Sequence, residues 1–221
     1  MLGKVKLLIP STPRELPILA GPLAGGKFVG SPRVSLRKML GIYEHELNDW
    51  LRGALTEVNT LVDVGANDGY FAFGCAQVFL SRRQSGRVYC FEPDAVHLSS
   101  LERAAGHYRA AGIAVEIWPY FLGNLTNDST VTLSELEYDG HPALIKIDVE
   151  GAELSVLEGS GLWLNKKNFW LIEVHSEQLL RPIREIAFNA GIHLRQIDQR
   201  PHWLLGRESR DKDNRWLVSD I

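Results

Sequence analysis

The sequence predicts an α/β protein: a doubly wound, Rossmann-like, mostly parallel seven-stranded sheet with helices on both faces. Three observations predict it. First, apolar strand-like runs near 60–64, 87–92, 113–118, 143–148, 169–175, 192–198 and 214–219 alternate with helix-like stretches over 69–81, 94–111, 151–158 and 177–190. Such alternation builds parallel strands joined by crossover helices. Second, the strand Leu61-Val62-Asp63-Val64 runs into the glycine-spaced turn Gly65-Ala66-Asn67-Asp68-Gly69 and then into the helix-like Tyr70-Phe71-Ala72-Phe73. Strand, glycine turn and helix make the nucleotide-cofactor loop of such a sheet. Third, Glu92 ends the next strand, 23 residues beyond Gly69, near the roughly 20-residue spacing of a ribose-binding acid.

The chain has 221 residues, 45% hydrophobic and 23% charged. That is ordinary for a globular protein and long enough to bury a core without metals or disulfides. The expected division is 1–57, an N-terminal arm and cap helix, and 58–221, the cofactor-binding domain. A net charge of −3 argues against a nucleic-acid partner held mainly by electrostatics. Cys75 and Cys90 both fall in predicted core elements, so buried thiols and a reducing compartment are expected. No apolar run approaches the length of a membrane span, and Leu7-Leu8-Ile9 is too short for a signal core. The expected location is the cytoplasm, with no membrane partner. The sequence sets no oligomeric state.

Along the chain, residues 1–34 are rich in Pro and Gly and read as an arm or irregular cap. Gly21 to Lys27 fits the first seven positions of a phosphate loop, but Phe28 stands where a metal-binding hydroxyl belongs. Gly30 and Pro32 also oppose the helix that must follow. Residues 35–57 read as one helix: Ser35 can cap it, and Leu36, Leu40, Tyr43, Leu47, Leu51 and Leu55 recur at spacings of three and four. This helix is expected to pack on the sheet and roof the cofactor cleft.

The turn after the first strand selects among cofactors. A dinucleotide loop needs G-x-G-x-x-G so that helix-start amides can hold a pyrophosphate. Here the run is Asp63-x-Gly65-x-Asn67-x-Gly69. A strand-end acid repels phosphate and attracts a positive amino group. S-adenosyl-L-methionine carries an ammonium, a sulfonium and a ribose, and no phosphate, so the loop favours a methyl donor over a dinucleotide.

Two later strands carry charge where a central parallel strand should be apolar. In Ala143 to Val149, alternation puts Lys146 and Asp148 on one face; in Phe169 to His175 it puts Glu173 and His175 on one face. If the strands are neighbours, Asp148, Glu173 and His175 converge at a sheet edge where open α/β sheets bind ligands. A histidine beside a carboxylate suits a general base at neutral pH. The same groups fit two other readings: a solvated or structural ion-paired face, and an oxygen-and-imidazole set for Mg²⁺ or Mn²⁺. The remaining histidines, His45, His97, His107, His141, His193 and His202, read as surface or packing residues.

Three blocks resemble the FkbM family of S-adenosylmethionine-dependent methyltransferases. They are Val62 to Phe71, Val88-Tyr89-Cys90-Phe91-Glu92-Pro93, and Ile145-Lys146-Ile147-Asp148-Val149-Glu150-Gly151-Ala152-Glu153, the last being the most specific. Tyr43-Glu44, Ile172 to Ser176 and Asn214 to Val218 are similar to further family segments, so the likeness spans roughly 40–220. The resemblance implies a class I methyltransferase sheet whose last strand is inserted antiparallel beside the fifth. It implies Asp63, Gly65, Asn67 and Gly69 at the methionine end of the cofactor, Glu92 on the ribose and Phe121 near the adenine. Ala66, Tyr70, Phe71 and Pro93 join the cofactor contacts, and Asp148 stands beside the methyl group and the acceptor. Glu150 and Glu153 are assigned to shaping the following loop and helix. One departure is Thr132-Leu133-Ser134-Glu135-Leu136, where Ser134 replaces the family's usual acid and the preceding loop is short. The resemblance therefore implies a more open cleft here.

The expected activity is O-methyl transfer to a hydroxyl of a sugar or small natural-product-type metabolite. His175 would remove the proton, supported by Glu173 or Asp148, with Lys146 orienting an acid. The alternatives are a non-catalytic cofactor-binding interaction module and an NAD-linked oxidoreductase.

Overall fold

A computed structural model describes residues 10–203, 206 and 215–221. The chain enters through an antiparallel hairpin, β1 (Arg14–Pro17) and β2 (Lys27–Gly30), with Leu16 opposite Phe28. Short helix α1 (Leu36–Met39) and helix α2 (Asn48–Glu57) follow. The alternating body then begins with β3 (Thr60–Val64), α3 (Tyr70–Ser81), β4 (Arg87–Phe91), α4 (Ala95–Ala110) and β5 (Ala114–Trp118). A two-stranded excursion, β6 (Phe121–Leu122) and β7 (Thr130–Val131), leads to β8 (Leu144–Ile147), α5 (Glu153–Glu158) and β9 (Phe169–Val174). Helix α6 (Glu177–Asn189), β10 (Leu194–Ile197) and β11 (Arg215–Ser219) complete the chain.

Seven of these strands form one sheet in the order β10-β11-β9-β8-β3-β4-β5. The five on the β9-to-β5 side run parallel, while β11 lies antiparallel between β9 and β10. This is the topology the sequence predicts. Every residue of β3 and β8 is buried, because helices cover both faces, and this is why those strands lack a clean apolar–polar alternation. One face carries Leu61, Val88, Leu144 and Leu171 against α2, α3 and α4. The other carries Val62, Ile145, Ile147 and Ile172 against residues of α5 and α6. The strand order reverses between β3 and β8, so their carboxyl ends open the crevice in which such sheets bind ligands. No helix among the described residues is long and apolar enough to cross a membrane.

Two expectations are corrected. Where residues 1–34 read as an arm or irregular cap, residues 14–30 form the regular hairpin, and Leu16, Ile18, Leu23 and Phe28 belong to the core. The hairpin docks on α3 at Gly74, where a Cβ would stand 2.7 Å from Leu23 Cβ. The Lys27 N–H donates to the Tyr108 hydroxyl at 2.8 Å. A strand, β2, follows the Gly21–Lys27 turn where a phosphate loop needs a helix. Residues 35–57 are not one helix but α1, a 3-10 turn over His45–Leu47, and α2. The break lies at Gly41 and Glu44, both at positive φ (67° and 51°). At Gly41 a Cβ would stand 1.9 Å from the Ala20 carbonyl. Residues 1–9, where the short apolar start was read, and residue 214, where the last strand was expected to begin, lie outside the described residues. Cys75 and Cys90 are buried free thiols, as expected.

Candidate functional site

The glycine turn after β3 is fixed by its neighbours. The Asp148 N–H donates to the Val64 carbonyl at 2.9 Å, bringing the two chain segments together. Gly65 has φ +84°, and a Cβ there would lie 2.0 Å from the Asp148 carbonyl oxygen, so only glycine fits. The Gly65 and Ala66 N–H groups both donate to the Phe91 carbonyl, at 3.0 and 3.1 Å. Asn67 then turns through φ +50°, and its N–H donates to Glu92 Oε2 at 2.8 Å. The Asp94 N–H donates to Glu92 Oε1 at 3.0 Å. The Glu92 carboxylate, nearly buried, is thus clamped by one amide on each oxygen, with acceptor capacity left over for a ligand's hydroxyls.

Glu92 forms part of the wall of a cavity of about 440 Å³ at the carboxyl ends of β3, β4 and β8. That volume lies within the roughly 300–1,000 Å³ of small-molecule sites. Of the residues the sequence singles out, Gly65, Glu92, Pro93, Phe121 and Asp148 line it, Phe121 being 57% exposed. Tyr120, Val149 and Ser155 line it too, without having been assigned a cofactor contact from the sequence. The charged liners are Glu92, Asp148 and Glu150, all acids. Asp63, Ala66, Asn67, Gly69, Tyr70 and Phe71 are not among its lining residues. Tyr70 and Phe71 are core residues of the first turn of α3. A larger hollow of about 820 Å³ runs along α6 past Arg184 and Phe188 to β10, away from the strand ends where the topology places a ligand.

A row of charge crosses the sheet beside this cavity. Asp63 in β3 is opposite Lys146 in β8 and is wholly buried. Lys146 Nζ lies 2.9 Å from Asp148 Oδ2 and 3.5 Å from Asp63 Oδ1, so its shorter contact serves Asp148. Burial pushes Asp63 up to about 6, helped by the Asp148 and Glu92 charges and opposed by Lys146. Burial also works against the charge on Lys146, but Asp148, Asp63 and Glu44 more than offset it and hold it above its ordinary range. Asp148 moves the other way. Against burial, Lys146 and a hydrogen bond from Glu173 hold it below the usual carboxylate range.

Asp148, Glu173 and His175 converge as the sequence predicts, with donor atoms within 4.8 Å of one another. His175 Nε2 is 3.8 Å from Asp148 Oδ1 and 3.9 Å from Glu150 Oε1. Its Nδ1, however, lies 2.5 Å from Glu153 Oε1. The expected supports of His175, Glu173 and Asp148, stand near it, but the close partner is Glu153, which the sequence assigned to loop shaping. Glu44 was also missed as a member. A backbone at positive φ brings it into the field of Lys146, and its only sequence signal was the Tyr43-Glu44 pair.

Residues 108–194 match the methyltransferase FkbM domain. Over this stretch the chain is similar to FkbM methyltransferases. The FkbM-matched region holds Phe121, Lys146, Asp148, Glu153, Glu173 and His175. Among solved structures, the chain is similar to a methyltransferase FkbM from Methylobacillus flagellatus KT, at 18% identity and TM-score 0.58, over 73% of this chain. The match spans 44% of that protein's length. It is also similar to yhhF from Escherichia coli, at 15% identity and TM-score 0.52, over 93% of this chain and 97% of that one. An rRNA methylase from Streptococcus thermophilus matches at 13% identity and TM-score 0.50, over 80% and 94%. At these identities the structural likeness shows the fold. No curated protein matches the sequence.

Proposed function

We propose that this chain transfers a methyl group from S-adenosyl-L-methionine to a hydroxyl of a small, neutral, polyhydroxylated acceptor, a sugar or natural-product-type metabolite. One observation carries the proposal. Asp148 lines the cavity and at the same time touches Lys146 and faces His175, so the cofactor pocket opens directly onto the titratable row. The residues present fit the donor. Glu92 is preorganised for vicinal ribose hydroxyls by the Asn67 and Asp94 amides. Pro93 and Phe121 offer apolar wall to a base, and the acidic liners suit a ligand with positive charge and no phosphate. When bound, the donor supplies a methyl group on a positive sulfur.

The chain's own residues do the rest. Lys146 fixes the Asp148 carboxylate at the rim. His175 Nε2 makes no short hydrogen bond to Asp148 or Glu150 and so remains available to accept a hydroxyl proton. Most of the rate enhancement comes from holding acceptor and donor in line. The acidic surroundings disfavour anionic acceptors, phosphorylated ones among them.

The test is incubation with S-adenosyl-L-methionine and a panel of sugars and hydroxylated metabolites, with and without a metal chelator, read by mass spectrometry. The expected product is an O-methyl ether formed equally in both conditions. A product methylated on nitrogen, or one formed only on phosphorylated acceptors, contradicts the proposal; loss of turnover with chelator assigns Asp148, Glu173 and His175 to a metal instead.

A further inference from the structure

We infer that Glu153 is the positioning residue of this site: it holds the Nδ1 proton of His175 and so turns the Nε2 lone pair toward the methyl acceptor. The inference rests on the methyl-transfer reading above. Three acids, Asp148, Glu150 and Glu153, follow β8 within six residues, and their environments differ. The Glu150 side chain is 77% exposed and that of Asp148 30%, whereas that of Glu153 is fully buried. A buried carboxylate is costly unless paired and hydrogen-bonded. Glu153 Oε1 meets His175 Nδ1 at 2.5 Å and also accepts the Gly151 N–H at 3.2 Å. Gly151, at φ +95°, supplies the turn that carries the chain from the cavity wall into α5. The His175 side chain is itself only 4% exposed, so its ring cannot swing to another partner without leaving its pocket.

The geometry divides the imidazole into two edges. Nδ1 is committed to Glu153. Nε2 faces Asp148 Oδ1 and Glu150 Oε1 at distances too long for hydrogen bonds, on the side of the cavity that these two acids line. A carboxylate on the far nitrogen fixes the tautomer and stabilises the imidazolium that forms, without taking the proton itself. As the acceptor oxygen bonds to the methyl carbon, the carbon–sulfur bond of the donor breaks and leaves neutral S-adenosylhomocysteine. The hydroxyl proton passes to Nε2, and the resulting imidazolium pairs with Glu153. The groups facing the ring are Glu153 from α5, Glu150 and Asp148 from the preceding loop, and Glu173 from β9, which ends just before His175. Burial alone would lower the His175 pKa; the Glu153 hydrogen bond and the Glu173, Glu153 and Asp148 charges leave it above its ordinary value.

The alternative role for Glu153 is a purely structural tie between α5 and β9, which would not govern the His175 tautomer. Side-chain spectra of ¹⁵N-histidine-labelled protein at fixed pH separate the two. His175 is assigned by its absence in His175→Gln, and wild type is compared with Glu153→Gln and Glu153→Leu. Positioning predicts a protonated, strongly deshielded Nδ1 in wild type and a weaker but retained Nδ1 proton in Glu153→Gln, whose amide oxygen still accepts. In Glu153→Leu the proton shifts toward Nε2. With an acceptor from the screen, Glu153→Leu lowers kcat about 10²-fold with KM unchanged, and Glu153→Gln recovers part of the loss. Identical His175 resonances in wild type and Glu153→Gln overturn the inference, and that comparison decides alone if Glu153→Leu does not fold. Titration with S-adenosylhomocysteine tests the underlying reading separately. If wild type does not bind it, the methyl-transfer role falls even where the spectra show the Glu153–His175 pair.

Discussion

Lys146 makes a short contact with Asp148 and a longer one with Asp63, and this inequality has a pH consequence. Asp63 is raised from 3.8 to about 6, chiefly by burial. A raised carboxyl contributes stability while protonated. That contribution is complete below its unfolded value and is lost as pH rises through the folded one. Two pKa units correspond to about 3 kcal/mol. Asp63→Asn is therefore expected to remove a fall in stability between pH 4 and 6. Melting curves of both proteins across that window check it; a wild-type-minus-variant difference that stays flat contradicts it. At this scale the sequence was legible where period-two alternation applies: it paired Lys146 with Asp148 and Glu173 with His175 on shared faces. Glu153 escaped it because 22 residues separate it from His175, and the rotation of a helix start relative to a distant strand is set by packing, not by local spacing.

Among the elements, the strands and the later helices follow from apolar runs punctuated by glycine. The N-terminal region does not. Leucines and a tyrosine at spacings of three and four over 36–55 fit one helix, but the same spacing survives a break, because Tyr43, Leu47, Leu51 and Leu55 reach the same core from separate pieces. The break is imposed by the close approach of Gly41 to the Ala20 carbonyl, a contact between distant segments. The hairpin was hidden by its Pro and Gly content, which reads as irregular chain, although Leu16, Ile18 and Phe28 are as buried as the sheet itself. An arm would tolerate truncation of Phe28, but a core residue would not. Phe28→Ala is expected to cost about 3–5 kcal/mol by denaturant titration, and a loss under about 1 kcal/mol would return the hairpin to the status of an appendage.

For the whole molecule, strand order decides where chemistry can happen. The reversal between β3 and β8 leaves one crevice at their carboxyl ends, and the cavity, the Glu92 clamp and the charged row all gather there. The sequence revealed this through the glycine turn and the acid spacing, both short-range signals. It placed Asp148 and His175 in the charged row but not Glu44 or Glu153, which packing brings there from other parts of the chain. The most direct test of the central claim, that this crevice holds a methyl donor on Glu92, is calorimetric titration of wild type and Glu92→Ala with S-adenosylhomocysteine, with NAD⁺ run in parallel. The account predicts binding of S-adenosylhomocysteine alone by wild type and its loss in the folded variant. Binding of NAD⁺, or equal binding of S-adenosylhomocysteine by both proteins, would contradict it.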